Sequence, residues 1–416
     1  MQDNQSSNNE FNWKVLMIIT AAGFFAGVYR NGIMTLFPFL QAEFDLTRAQ
    51  VGLYSTFLFI SMAVVVLFSG RIADYFGVKR SIFWGLSFMG VFITLHSLAN
   101  GFILLMLFAM LNGLGLSIIL PSTSKAVAEW FRGDNQATAM GIMTMGFALG
   151  GVAGASVLPW LGVQLGWKML VILLGGLFLI VGAVFYFTYQ DKNNNSDQVK
   201  KDSNNSFLKN IGLFFNNKYL VLLCVLGIIF GAVSGVVVTH FSFFLFTDYN
   251  FSEVTAGLGF MVLQVGSMVG RTGWGYLNGK LLGGVERRGF FIVGILMSLV
   301  SLAFAFLSNF NPALPIIMVL AFLLGATGRG WHGLYFSEVS DQVGEEKAGM
   351  GIGLSLLFIR IGIIVGPPIF GYIADRTGTY AYSWLLLGIT SLVSVVTLNY
   401  FLSKYHKDRE RAYKRA

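Results

Sequence analysis

Twelve long apolar runs, separated by short polar breaks, account for most of the chain. They cover about 14–40, 50–73, 81–98, 101–126, 136–163 and 166–189, then 217–247, 253–278, 288–309, 313–337, 347–374 and 380–404. Each is near or above the roughly 20 residues that a helix needs to cross a hydrocarbon core. Lipid offers no partner for backbone N–H and C=O groups, so runs of this length predict helices. The expected fold is an all-α integral membrane protein with twelve transmembrane helices. One polar insert is long, Gln190 to Asn210, and its Asn, Ser, Lys and Asp content cannot bury a core. It divides six spans from six. The predicted organisation is an N-tail at 1–13, a six-helix bundle at 14–189, a linker at 190–216, a second six-helix bundle at 217–404 and a basic C-tail at 405–416.

Composition agrees. With 55% hydrophobic and 12% charged residues and a mean hydropathy of +0.68, the chain departs from water-soluble domains, which carry roughly 25% charged residues. Fifty glycines against seven prolines suit close helix packing in lipid. Cys224 is the only cysteine, so no disulfide can form within the chain. The net charge of +8 does not point to nucleic acid, because the basic residues sit in the short breaks between spans. With the N-terminus in the cytoplasm, 21 of the 28 Lys and Arg fall on the inner side. Arg48, Lys168 and Arg376 fall outside, and four more lie within spans. Excess positive charge inside makes this the expected orientation. The opening MQDNQSSNNEFNWK lacks a signal peptide's basic end and cleavage site, and reads as a cytoplasmic tail.

The two halves repeat. FDLTRAQVGL, Phe44 to Leu53, resembles YNFSEVTAGL, Tyr249 to Leu258, each opening the second span of its half. Paired halves of this kind imply a substrate site near mid-membrane between them. Between the second and third spans lies GRIADYFGVKRS, Gly70 to Ser81, which reads as a short loop at one membrane face. Its Gly70, Asp74, Gly77, Lys79 and Arg80 match in type and spacing a signature of the major facilitator superfamily, which the chain resembles over nearly its whole length. The resemblance implies two six-helix bundles that rock about a central site. It also implies that this loop is a cytoplasmic latch, with Asp74 near the N-terminal end of the eleventh helix. A second copy, Gly275 to Arg288, has Gly279 where the aspartate belongs. A third echo, GYIADRTG from Gly371 to Gly378, falls on the outer side, where Asp375 and Arg376 read as interface anchors.

Four arginines lie within spans: Arg30, Arg271, Arg329 and Arg360. A guanidinium in lipid costs a few kcal/mol or more and keeps its proton, so each needs water, a partner or a ligand. Arg30 and Arg360 fall near mid-membrane; Arg271 and Arg329, some eight residues from the cytoplasmic ends, are either site residues or tethers to helix-end carbonyls. No Asp or Glu falls in the interior of any span. Unopposed cations attract anions, and guanidinium forks suit carboxylate, phosphate or nitrate. An exporter of cationic drugs would need a buried acid, which is missing. VGRTGWG, Val269 to Gly275, and FIRIGIIVGPP, Phe358 to Pro368, resemble the oxalate/formate antiporter and monocarboxylate porter group, in which two such cations clamp a carboxylate. Arg30 after Tyr29 is similar to the first-helix arginine of organic-anion and phosphate-ester symporters. Two departures count against drug export. Ala109 stands where many facilitators have an arginine, and Gly146 to Pro159 lacks the Gly-Pro pair of the drug/proton antiporters.

The resulting expectation is a secondary transporter for a small organic anion, working by alternating access with proton symport or anion exchange. Arg30, Arg271, Arg329, Arg360, Tyr29 and Asn112 are the candidate substrate contacts, with Ser117, Ser122, Thr144, Gln264 and Trp331 as further polar or aromatic walls. His240 and His332 are candidate proton carriers, since histidine titrates near neutral pH; a packed histidine bonded to backbone explains each equally well. His96 reads as interfacial. No metal site, nucleotide loop or nucleophile with its base is recognisable, so neither a cofactor nor an enzyme is expected. The partners expected are the substrate anion, a proton or counter-anion and the bilayer, around a monomer in a bacterial inner membrane. A polyspecific exporter and a non-transporting sensor on the same fold are the alternatives.

Overall fold

The computed structural model describes residues 11–131, 134–191, 218–283, 286–308, 310, 312–344 and 348–413, with backbone alone at 66–72, 74, 134, 286–287, 348–350, 398 and 402–413. Twelve helical spans are long and apolar enough to cross a membrane. They are α1 (Trp13–Phe44), α2 (Arg48–Val65), α3 (Tyr75–Leu98), α4 (Phe102–Trp130), α5 (Asn135–Leu165) and α6 (Trp167–Thr188) in the first half. The second half has α7 (Lys218–Asp248), α8 (Glu253–Leu281), α9 (Arg288–Leu307), α10 (Leu314–Val343), α11 (Gly351–Thr377) and α12 (Ala381–Phe401). No strand occurs among the described residues.

Packing follows the repeat. In the first half α1 lies along α5, and the α2–α3 hairpin packs on α4 and α6. The second half repeats this with α7 along α11, α8 along α10 and α9 along α12. Glycine sets the closest of these approaches. A Cβ on Gly150 would lie 1.9 Å from the Phe24 carbonyl, and one on Gly362 would lie 1.9 Å from that of Ile228. Those contacts hold α1 to α5 and α11 to α7 backbone to backbone, the arrangement that small residues permit where no hydrophobic effect drives association.

The repeat is legible in backbone detail. Asp45 and Asn250 occupy matching positions and both are left-handed, at φ 49° and 52°, a conformation that Asp and Asn adopt more readily than other side chains. Two residues on, Thr47 and Ser252 cap the helices that follow, accepting from the backbone N–H of Gln50 and Thr255, each at 3.2 Å.

Several expectations need correction. The 70–81 loop is not a loop in backbone terms: helix runs from Arg48 to Leu95, broken only at Gly77 (φ 78°, ψ 162°). Glycine reaches those angles without Cβ strain. The tenth span is two helices, Leu314–Gly328 and His332–Val343, separated at Arg329–Trp331. Helical backbone in the last element continues to Tyr413, through most of the expected tail. His96 is buried rather than interfacial, with its ring between Tyr54 Oη at 3.0 Å and the Phe92 carbonyl at 2.6 Å. Nearly all of the expected linker lies outside the described residues.

Two pairs of helices join the halves: α2 packs along α11 and α5 along α8. Contacts of these pairs include several toward the end of the molecule that carries Arg48 and Asp375, the far end; the end that carries Gly77 is the loop end. Gly52 of α2 meets Pro367 and Pro368 of α11, and Gly257 of α8 meets Ala155 and Pro159 of α5.

Candidate functional site

A cavity of about 150 Å³ lies between the halves, from mid-depth toward the loop end. Several water molecules would fit in that volume. α1 contributes Arg30 and Asn31, α5 contributes Thr144 and Phe147, α8 contributes Gln264, Ser267 and Arg271, and α10 contributes Arg329. Both halves therefore supply its walls, as a site that a rocking motion can open to either side requires.

Helix periodicity explains which residues arrive there. Gln264, Ser267 and Arg271 fall at i, i+3 and i+7 of α8, one face of one helix. Arg329 gets there differently. It follows the last residue of the first α10 segment, where the helix stops and the next begins at His332. Gly330 makes the break compact: a Cβ there would stand 2.1 Å from the Ala326 carbonyl and 2.7 Å from Gly270 Cα, so α10 leans directly on α8.

The electrostatics are one-sided. Among the described residues no carboxylate lies within ion-pair distance of Arg30, Arg271, Arg329 or Arg360. Arg30 has its guanidinium carbon 5.8 Å from the ring centres of both Phe59 and Phe147, and ring faces offset part of a cation's desolvation. Its Nε is buried without a partner. Arg329, 6% exposed, donates to Gln264 Oε1. Arg271 is the most open of the three. Arg360 is half-buried and lies outside the cavity wall.

Amides close the set. Asn31 donates weakly to the Gly27 carbonyl at 3.4 Å, and its Oδ1 is buried without a partner. A Cβ on Gly151 would stand 2.6 Å from Asn31 Nδ2 and 2.9 Å from Gln264 Nε2. An amide from each half thus meets over a residue that has no side chain.

Other predicted residues lie elsewhere. Tyr29 is fully buried, facing Phe178 with ring centres 6.4 Å apart. Asn112 is buried too and donates to the Phe108 carbonyl at 3.1 Å. Neither lines the cavity, and neither do Ser117, Ser122 or Trp331; Thr144 and Gln264 do. His240 sits in the far-end core with both nitrogens engaged, Nε2 donating to the Pro367 carbonyl at 2.9 Å and Nδ1 accepting from Tyr380 Oη at 2.9 Å. His332 donates from Nδ1 to the Arg329 carbonyl at 3.1 Å and stacks on Trp331, next to the cavity arginines but not on the wall.

At the loop end, the Lys79 backbone N–H donates to Asp191 Oδ1 at 3.0 Å, so a residue just past α6 caps the restart of the helix after Gly77. The Lys79 ammonium lies 4.6 Å from the Tyr186 ring centre and Arg80 is exposed. The side chain of Asp74 and the surroundings of Gly70 lie outside the described residues. Asn31, Ser267 and Asp191 were not anticipated. The spacing of Ser267 from Arg271 on one helix face was the available signal for it; Asn31 and Asp191 carried none.

The sequence profile of the Major Facilitator Superfamily matches residues 19–284 and 241–416. The chain is 22% identical over 390 residues to a hexuronate transporter of Bacillus subtilis, covering 90% of each. It is 24% identical over 388 residues to a probable galactarate/D-glucarate transporter, GudP, of Escherichia coli, covering 85% of each. Among solved structures, a bacterial homologue of the human lysosomal transporter Spinster, in an inward-facing and occupied conformation, superposes with a TM-score of 0.73 at 17% identity, covering 96% of this chain and 98% of that one. With twelve spans in two bundles and a profile match that runs almost end to end, the chain belongs to the Major Facilitator Superfamily and is a multi-pass membrane transporter.

Proposed function

We propose that the chain carries a small organic acid, of the size and polarity of a sugar acid, across a bacterial inner membrane by alternating access, with both termini in the cytoplasm. One observation carries this reading: guanidinium groups from both halves line one cavity, and no described carboxylate neutralises them. A bound anion supplies the missing charge. Arg30 from one half and Arg271 and Arg329 from the other hold the acid group, with Arg360 adding to the field from outside the wall. Asn31, Gln264 and Ser267 offer both donors and acceptors for hydroxyl groups. The named substrates of the two relatives, hexuronate and galactarate or glucarate, combine those two features.

Anion binding lowers repulsion among the cations and so favours closure of the loaded site over the empty one. A ligand drives a conformational change only through such a difference. An anion entering against a negative interior climbs about 2.3 kcal/mol per charge per 100 mV. Proton symport is the preferred compensation and anion exchange the second. His332 stands nearer the arginines than His240 and is the better placed of the two to couple a proton. If the loop end is cytoplasmic, as the positive-inside pattern suggests, contact of the halves at the far end fits an inward-facing conformation.

Uptake of a radiolabelled hexuronate or aldarate into proteoliposomes, with and without an inward proton gradient, tests the reading. Accumulation that an added gradient increases supports symport. Accumulation of a lipophilic cation, with no uptake of acids, would replace the proposal by the exporter alternative.

A further inference from the structure

At the far end the two halves are tied by a set of contacts that the anion site does not use. The backbone N–H groups of Arg48 and Ala49, which open α2, donate to Asp375 Oδ1 and Oδ2, each at 2.8 Å. Asp375 belongs to the last turns of α11, so a carboxylate of one half caps a helix of the other. This corrects the expectation of a lipid-interface anchor, which suits only the exposed Arg376. The Arg48 guanidinium lies 3.5 Å from Asp248 Oδ1 and 5.2 Å from the Tyr380 ring centre. Asp248 in turn accepts from the Tyr380 backbone N–H at 2.7 Å.

Deeper along the same seam, the Thr56 hydroxyl donates to the Ile364 carbonyl at 2.7 Å. That carbonyl has no helical donor, because the residue four positions on is Pro368 and proline has no N–H. α2 therefore completes a hydrogen bond that α11 cannot make for itself. The bond exists only while the halves touch at this end.

The sequence around the cap repeats the loop-end motif. Gly371, Ile373, Ala374 and Asp375 of α11 match Gly70, Ile72, Ala73 and Asp74, which follow α2. The same short motif thus ends each of two helices that pack on one another in opposite directions. In the copy whose side chains are described, its aspartate caps the partner helix.

We propose that Asp375 is the far-end latch of the transport cycle, a positioning residue that stabilises the state in which the cavity opens toward the loop end. Thr56 is its second fastening. The inference rests on the alternating-access reading above but not on the identity of the substrate. Each cycle must break the two cap bonds, the Arg48–Asp248 pair and the Thr56 bond together, and the release exposes the N-terminus of α2 to water.

The test is a distance measurement. In a Cys224→Ala background, spin labels at Ala42→Cys and Tyr382→Cys, exposed far-end positions on opposite halves, report far-end separation by pulsed electron resonance in lipid nanodiscs. The latch predicts one short distance in the otherwise native chain. In Asp375→Ala it predicts a longer-distance population raised about tenfold relative to the short one, the equivalent of losing one capping interaction. Asp375→Asn keeps an acceptor and falls between. If Asp375→Ala does not fold, Thr56→Val, which removes a seam bond without touching charge, decides by the same reading. Unchanged distances in the variants that fold would overturn the latch. The measurement needs no substrate: failure of the anion assignment would leave a positive result standing, and unchanged distances alongside intact anion binding would remove the latch alone.

Discussion

Arg329 and Gln264 are hydrogen-bonded to each other in the cavity wall, guanidinium to side-chain carbonyl. The bond joins the break in α10 to the polar face of α8 and fixes the direction of a charge that would otherwise swing. Hydrogen bonds to charged groups are worth about 1.5–3 kcal/mol. Gln264→Leu should therefore weaken binding of a sugar acid by at least about tenfold while leaving the helices assembled. Isothermal titration of the detergent-solubilised protein, with gel-filtration behaviour as the check on folding, measures both.

The two histidines separate coupling from packing. His240 has both ring nitrogens bonded within the far-end core, so His240→Gln should lower thermal stability and leave the pH dependence of uptake in place. His332 lies against the arginine cluster through the Arg329 carbonyl. His332→Gln should flatten the pH profile of uptake. Uptake measured across a range of external pH distinguishes the pair; the reverse pattern would move the coupling role to the far end.

Gly77 is held in place twice over. Its φ of 78° is unfavourable for any side chain, and a Cβ there would come within 2.8 Å of the Asp191 carboxylate that caps the following turn. Gly77→Ala should cost about 1–3 kcal/mol, the usual range for a strained backbone position. The effect should appear as a lowered melting temperature. Asp191→Ala, which removes the cap alone, should cost about 1 kcal/mol by the same assay.

How much of this was legible in the sequence depends on the length scale. Twelve apolar runs give the spans because lipid leaves a backbone few alternatives. The Phe44 and Tyr249 segments reveal the repeat because their caps and left-handed turns demand particular residues. Arg30, Arg271 and Arg329 stand out because buried charge is expensive. What the sequence hides is direction around each helix. Tyr29 and Asn31 flank the same arginine, yet Asn31 lines the cavity and Tyr29 faces Phe178. One residue is about 100° of helix, and the first span is too uniformly apolar for a polar face to mark which way it turns. The role of Asp375 is hidden from the sequence for a related reason. Its partners are backbone N–H groups more than 300 positions away, and a backbone group leaves no trace in sequence.

On the proposed reading, guanidinium groups that no described carboxylate neutralises select the cargo by its negative charge. Thermal unfolding of the purified protein against a panel of ligands tests it most directly, comparing a hexuronate and an aldarate with their neutral parent sugars and with a lipophilic cation, in the native chain and in Arg30→Ala. Ligand that binds only the folded state at about 100 times its Kd adds roughly 2.7 kcal/mol. The expected result is a raised melting temperature with the acids, none with the neutral sugars or the cation, and loss of the acid effect in Arg30→Ala. Equal stabilisation by acid and neutral sugar, or an acid effect that survives Arg30→Ala undiminished, would contradict it.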